Sequence, residues 1–424
     1  MNDAAAGPGH DPVVNLGASS VLRALFLACS WTWCIGMFLP VLLVHDFGWP
    51  GWVAFAVPNV LGAMSVGFVF KAQGLAALTA DRHAIAMRWF SVVTILFHVA
   101  FLSWILTLAL PQLAVPLNEI VVGGIPVVPA SMGGEFGAIV VTGALFLLAL
   151  LLSGMRTAGW LLGAMVVYAF SITVAAMAMH FGEGEVFSFA RAGGDEAFPA
   201  ILGAAPIIAL GFLTCPHMDL TILRTRHELQ GAAGTRAFVV GFGVFFLSMI
   251  ALTLAYAPGF LVGATSGFII AHIAGQAVFT MSAHLRELRT CSIEHDRGAG
   301  FPPLLALTLV LAFVCLSAVR LSYTGNGQTM YELFLSPYAL VFPAYVWIVL
   351  VPHKRLTGGA DWASTRIARL VVFGIAVILA SPVLWMASVG EPKRWVLAPI
   401  GVAVVLVAPL GLAVVRKRAA SSGT

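Results

Sequence analysis

The chain has 424 residues, of which 60% are hydrophobic and only 9% are charged. A water-soluble domain of that length needs far more charge to cover its surface, so the composition excludes a soluble enzyme and marks a multi-pass membrane protein. The formal net charge of +4 is too small to mark a nucleic-acid-binding protein, and the five scattered cysteines form neither a disulfide framework nor a zinc-ligand spacing.

The first twenty residues contain Asp3 and Asp11 but no Lys or Arg, so no cleaved signal peptide is expected. Apolar runs long enough to cross a bilayer as helices follow at 21–45, 51–70, 89–111, 136–153, 158–180, 199–223, 237–257, 259–283, 301–319, 333–352, 367–388 and 395–415. The expected fold class is therefore an all-α membrane protein of about twelve transmembrane helices. Two of the divisions rest on short separators: HDFGWP between spans 1 and 2, and a turn at Pro258 between spans 7 and 8. With the N-terminus inside, only Arg191, Arg320, Lys393 and Arg394 fall on the outer side, and the other eighteen of the 22 basic residues fall inside. That asymmetry follows the positive-inside rule. It predicts cytoplasmic termini in a plasma membrane of the bacterial inner-membrane type.

Two spans carry breaks. Span 1 contains SWTWCIGMFLP, with Thr32, Cys34, Gly36 and Pro40. Span 6 contains GFLTCPHMDL, with Gly211, Phe212, Thr214, Cys215, Pro216, His217 and Asp219. Proline removes a backbone donor and crowds the preceding turn. Backbone groups freed at membrane depth persist only against protein or a water-filled cavity. An ionisable side chain there is a functional-site hypothesis by default. Asp219 reads as the only acid within a span, which makes it the candidate for a coupling proton. Its alternative is an interfacial residue paired with a loop arginine such as Arg224. The candidate solute-lining residues are Gly36, Cys34, Thr214, Cys215 and Phe212. Thr32 and His217 complete the set at the breaks. His98, His272, Gln276, Thr280 and Ser282 are further polar groups within spans 3 and 8.

Interrupted segments at matching places in two halves point to an inverted-repeat transporter. The breaks in spans 1 and 6, five spans apart and opposite in direction, resemble the LeuT-type fold of the amino acid–polyamine–cation superfamily. That resemblance implies a 5+5 inverted repeat over 21–180 and 199–352. A segment at 1–20 precedes it, two added helices at 367–415 follow, and the chain closes with a tail at 416–424. It also implies a small solute bound between broken helices 1 and 6, cation coupling by sodium or protons, and hydroxyls such as Thr280 lent by span 8 to a sodium site. Locally, Thr214-Cys215-Pro216-His217 resembles the Met-Pro-His step in the sixth helix of Nramp-type divalent-metal transporters. Span 1, however, has no acid or amide to supply hard oxygen ligands.

The expected partners are thus the lipid bilayer, a small solute and a sodium ion or proton, with no cofactor and no enzyme activity. Two other readings are a b-type haem protein using pairs among His98, His180, His217 and His272, and a major-facilitator-type transporter. The latter is suggested by twelve spans and by Asp81-Arg82 in the 2–3 loop.

Overall fold

The structure is a computed structural model that describes residues 17–118, 121–122, 125–126, 134–181, 197–261, 267–290, 304–351, 362–389 and 392–421. Arg191, Cys291, Arg297, Lys354 and Arg355 lie outside the described residues. Among the described residues nine helices are long and apolar enough to cross a bilayer, and the bent pair Ala18–Trp31 and Cys34–Phe47 makes a tenth. The shorter apolar stretches Val310–Ser322 and Trp395–Gly411 complete the twelve. Apart from a two-residue antiparallel pairing of Val121–Val122 with Ile125–Pro126, the described elements are helical.

Span 1 divides into 1a (Ala18–Trp31) and 1b (Cys34–Phe47), bent by 60°. Span 2 follows at Trp49–Val69, and a short loop helix at Leu75–Arg82 precedes span 3, Ala84–Asn118. Spans 4 and 5 are Glu135–Leu152 and Thr157–Phe181. Span 6 divides into 6a (Ala197–Thr214), a tight turn at Cys215–Met218, and 6b (Leu220–Glu228). Span 7 runs from Gly231 to Leu261 with a π-helical stretch at Gly241–Phe246. Span 8 is Gly267–Arg289, and span 9 is Leu304–Tyr323. Span 10 starts at Gly327 and contains π-helical turns at Pro337–Val341 and Val346–Leu350. Span 11 is Trp362–Ser388, and span 12 starts at Trp395 and continues as Ala398–Ser421.

The structure corrects the division between spans 7 and 8. Pro258 lies inside helix 7 rather than in a turn, because a proline is tolerated in a membrane helix where neighbours re-satisfy the freed carbonyl. Helix 8 consequently starts at Gly267 and reaches Arg289, which brings Glu287 into a helix and ends the reading of Asp219 as the only acid within a span.

The spans pack in two groups. Spans 1, 2, 6 and 7 pack on one another: 6a on span 2, 1a on span 7, and 1b on spans 2 and 7. Spans 3, 4, 8 and 9 form the second group, with span 3 against spans 4, 8 and 9, and span 4 against spans 8 and 9. Within each group every span has its counterpart five positions along. Spans 11 and 12 pair with one another outside these two groups, and span 12 touches 6a. This interleaving fits the resemblance to the LeuT-type fold drawn from the two breaks and differs from two separate six-span halves of a major-facilitator protein.

Close approach in the first group is set by small residues, as is usual where lipid offers no hydrophobic driving force between helices. A Cβ on Gly241 of span 7 would lie 2.9 Å from the Ala24 carbonyl oxygen of 1a. Gly211 is helical, and its Cβ would stand 3.0 Å from the Tyr338 carbonyl oxygen. It therefore does not weaken the helix, as its place in the motif suggested, but lets span 10 approach.

Candidate functional site

At the first break Thr32 (φ −78°, ψ 74°) and Trp33 (φ −80°, ψ 174°) leave the helical conformation. In a membrane the backbone groups freed there need partners, and distant spans supply them. The Cys34 amide donates to Nε2 of His98 at 3.3 Å, and the Tyr331 hydroxyl donates to the Cys34 carbonyl at 3.3 Å. Tyr256 donates to the Met37 carbonyl at 2.5 Å, and Thr280 donates to the Cys29 carbonyl at 3.3 Å. The Thr32 hydroxyl turns back to the Ala28 carbonyl at 2.8 Å.

The second break lies at Pro216. Helix 6a persists through Thr214, Pro216 sits in the tight turn that follows, and Asp219 is extended (ψ 114°). Asp219 caps 6b by accepting the Thr221 amide on Oδ1 at 2.7 Å. Tyr338 of span 10 joins the two breaks. Its ring lies 5.5 Å from that of Trp33, its carbonyl accepts the Cys215 thiol at 3.4 Å, and its hydroxyl pairs with Thr94 at 2.8 Å.

A cavity with about 130 Å³ of room for water-sized contents ends at these breaks. Trp31, Trp33, Phe212, Cys215, Tyr338 and Asn59 line its deep end. Trp31 and Trp33 lie ring to ring at 4.4 Å, and Trp31 donates to the Asn59 side-chain oxygen at 2.7 Å. Asp46, Glu332, Val389, Lys393 and Trp395 line the shallow end. That end lies where 1b and span 11 finish and spans 10 and 12 start, on the face opposite the basic loops. Glu332 and Lys393 are paired there at 2.6 Å, and the residues named at the deep end are uncharged.

On the other face, side-chain pairs join the half-helices to their neighbours. Arg224 of 6b makes a two-pronged pair with Glu287 of span 8 (2.7 and 3.0 Å) and donates to the Thr290 hydroxyl at 2.9 Å, all three side chains being buried. Arg23 of 1a pairs with Glu228 at the end of 6b. Arg226 donates to the Gly67 carbonyl of span 2 at 3.2 Å.

The chain is similar at low identity to several solved membrane transporters. Mhp1 in an inward-facing conformation is 15% identical with a TM-score of 0.45, the match covering 96% of this chain and 89% of that one. The Eremococcus coleocola manganese transporter, in complex with an aromatic bis-isothiourea substituted compound, is 13% identical with a TM-score of 0.45, covering 96% and 95%. Mhp1, described as a nucleobase-cation-symport-1 family transporter, in a closed conformation with bromovinylhydantoin bound, is 15% identical with a TM-score of 0.43, covering 94% and 93%. No family model and no curated protein matches the chain. The fold assignment rests on the helix breaks and packing described above.

Of the residues singled out in the sequence, Gly36, Phe212 and Cys215 line the cavity. Cys34 lies at the first break, but its polar backbone groups are engaged by His98 and Tyr331. The Thr214 hydroxyl turns to its own helix, to the Leu210 carbonyl at 2.6 Å. His217 faces span 2, with Nε2 3.4 Å from the Ser65 hydroxyl and Nδ1 3.2 Å from the Thr214 carbonyl. Gln276 donates to Ser171 of span 5 at 2.9 Å. The Arg224 pairing that would have made Asp219 interfacial is not formed, since Glu287 holds that arginine. Both ring nitrogens of His98 are hydrogen-bonded, Nδ1 to the Thr94 carbonyl at 2.7 Å, so this histidine is not arranged as an open haem ligand. Among the described residues no group of three or more His, Cys, Asp or Glu side chains is placed to hold a metal ion.

Three positions at or beside the breaks escaped the sequence reading. Asn59 is a lone amide within an apolar span, a signal that was available. Tyr338 and His284 become significant only through their neighbours.

Proposed function

We propose that the protein is a cation-coupled secondary transporter that carries a small solute between broken helices 1 and 6 by alternating access. The observation that supports this reading best is the asymmetry of the molecule about those breaks. A cavity reaches them from one face, and on the other a buried ion pair joins 6b to span 8 and a partly exposed one joins 6b to 1a. Carrying a solute across then requires 6b to part from span 8 and 1a. The cavity's chemistry favours a neutral solute with aromatic or flat apolar character. Tryptophan, tyrosine and phenylalanine rings line it, and Asn59 keeps its amide hydrogens for a ligand while its oxygen is occupied by Trp31.

Uptake by the full chain in proteoliposomes, driven by an imposed proton or sodium gradient and measured over a panel of radiolabelled neutral and cationic aromatic solutes, tests this reading. A Cβ on Gly36 would meet Phe246 and Ile250 at 3.7 and 3.8 Å, ordinary contact distances, so Gly36→Ala is expected to keep uptake. Gly36→Trp is expected to abolish it while leaving the melting profile intact, because the indole occupies the cavity. Equal uptake by the two variants, or no uptake of any solute by the unmodified protein, would count against the cavity as the translocation site.

In this reading the cavity opens outward and both termini are cytoplasmic, because the span order assigns eighteen of the 22 basic residues to the inner side. Reporter fusions after Arg156 and after Arg297 are expected to report the cytoplasm. A periplasmic signal from either position overturns the orientation.

A further inference from the structure

Beneath the deep end of the cavity lies a buried pair that the solute site does not use. His284 of span 8 and Asp219 at the start of 6b are both fully buried, with Nε2 of the histidine 3.8 Å from Oδ2 of the aspartate. Neither of those two atoms has a hydrogen-bond partner. The remaining polar atoms of both side chains are engaged. Nδ1 of His284 lies 3.0 Å from the Ser91 hydroxyl, and Oδ1 of Asp219 holds the Thr221 amide. In the tautomer that carries its hydrogen on Nδ1, directed to the Ser91 hydroxyl, Nε2 presents a lone pair to a carboxylate lone pair. Two buried acceptors facing each other without a hydrogen between them are costly, since each forfeits a bond it makes in water.

We propose that Asp219 and His284 together form a binding site for one proton, the coupling ion of the transport reading above, on which this inference rests. The proton arrives from water and adds to the Nε2 lone pair. The new N–H donates to Oδ2, and no other covalent bond changes. One proton thus converts two unpaired acceptors into a charge-assisted hydrogen bond joining 6b to span 8. Loss of the proton leaves the two helices with facing acceptors and favours their separation.

The surroundings suit this role. The charged neighbours are already neutralised or occupied. Arg224 of 6b and Glu287 of span 8 hold one another one turn further inward. Arg286 lies over the Trp160 ring at 5.8 Å, and Arg289 donates to Ser153. From span 3, His98 is engaged by Cys34 and Thr94, and Arg88 donates to the Thr290 carbonyl. From span 10 the Tyr338 hydroxyl is held by Thr94. From span 1, Arg23 is paired with Glu228, and the Cys34 thiol is buried. Asp81 and Arg82 of the loop helix are exposed, and span 2 carries no titratable side chain. The site is linked to the cavity by one side chain. Trp33 lines the cavity, and its ring centroid lies 5.5 Å from that of His284, edge to face. A solute resting on Trp33 therefore bears on the histidine that takes the proton.

Trp33 also provides the measurement, because an imidazolium beside an indole quenches its fluorescence and a neutral imidazole does so far less. Tryptophan emission of the purified full chain, followed without solute from about pH 9 to about pH 5, is expected to fall in a single one-proton step. Trp33→Phe is expected to lose that step. Asp219→Asn keeps the helix cap, and His284→Gln keeps a polar group at the position, yet each is expected to remove the step from this range with the circular dichroism unchanged. Infrared difference spectra of the unmodified protein across the same range give a second reading that needs no variant, a protonated-pair band that exchange into heavy water shifts. A step that survives in His284→Gln, a transition that responds to sodium at fixed pH instead of to pH, or no step and no band in the unmodified protein overturns the proposal. Because the titration needs no solute, a missing step with intact uptake condemns the proton site alone. A clear step with no uptake of any solute condemns the transport reading.

Discussion

Replacing Glu287 with alanine is expected to destabilise the protein by about 3–5 kcal/mol, the usual consequence of leaving a buried charge without its partner. Arg224 is buried and gives Nε and Nη2 to the two Glu287 oxygens at 2.7 and 3.0 Å. Truncation takes both carboxylate oxygens from the guanidinium, and the Thr290 hydroxyl at 2.9 Å, already an acceptor, does not neutralise the charge. Arg224→Met combined with Glu287→Met is expected to recover most of the loss, because neither charge is then buried alone. The melting temperatures of Glu287→Ala and of the double variant in detergent decide the matter. If Glu287→Ala melts with the unmodified protein, the pair does not hold 6b to span 8, and closure of the basic face rests on Arg23 and Arg226.

Gly62→Ala is expected to destabilise by about 1–3 kcal/mol, and Gly62→Leu by more, through overpacking at the seam between span 2 and 6a. An added Cβ would run into the Phe212 carbonyl oxygen and stand 2.7 Å from the Leu213 Cα, so backbone, not a side-chain tip, must move. Alanine normally gains about 1 kcal/mol over glycine inside a helix, and here that gain is outweighed. Gly143 of span 4 is the control. Nothing lies within 4 Å of a Cβ there, so Gly143→Ala keeps the helix gain and is expected to melt no lower than the unmodified protein. Since Phe212 lines the cavity, Gly62→Leu is also expected to impair uptake more than its melting temperature alone suggests. Equal melting of Gly62→Ala and Gly143→Ala would refute the close approach.

The membrane class, the span count and the position of the first break were all readable from local chemistry. Apolar runs of bilayer length leave few alternatives to helices, because backbone groups in lipid must be satisfied within the segment. Pro216 and the capping aspartate that follows it mark where span 6 changes course, whereas Gly211 lies within an intact helix. The same local reasoning failed at Pro258, where a strong turn signal is overridden by neighbouring helices and helix 7 continues to Leu261.

The tertiary structure alone decided which polar groups meet. The sequence distinguishes neither His284 from the other histidines nor Tyr338 from the other tyrosines. Glu287, read as a loop residue, is the partner of Arg224 only because helix 8 extends to Arg289 and its rotation presents that carboxylate to 6b. Thr214 and His217, adjacent to the break in sequence, face their own helix and span 2, while Asn59, roughly 150 positions earlier, lies at the cavity. The reason is physical. Helix formation depends on residues within a turn or two of one another, whereas the depth and rotation of each helix are set by side-chain packing between spans far apart in the chain. Local chemistry therefore determined that the protein spans the membrane and where its helices can break, and packing between spans determined what those breaks enclose.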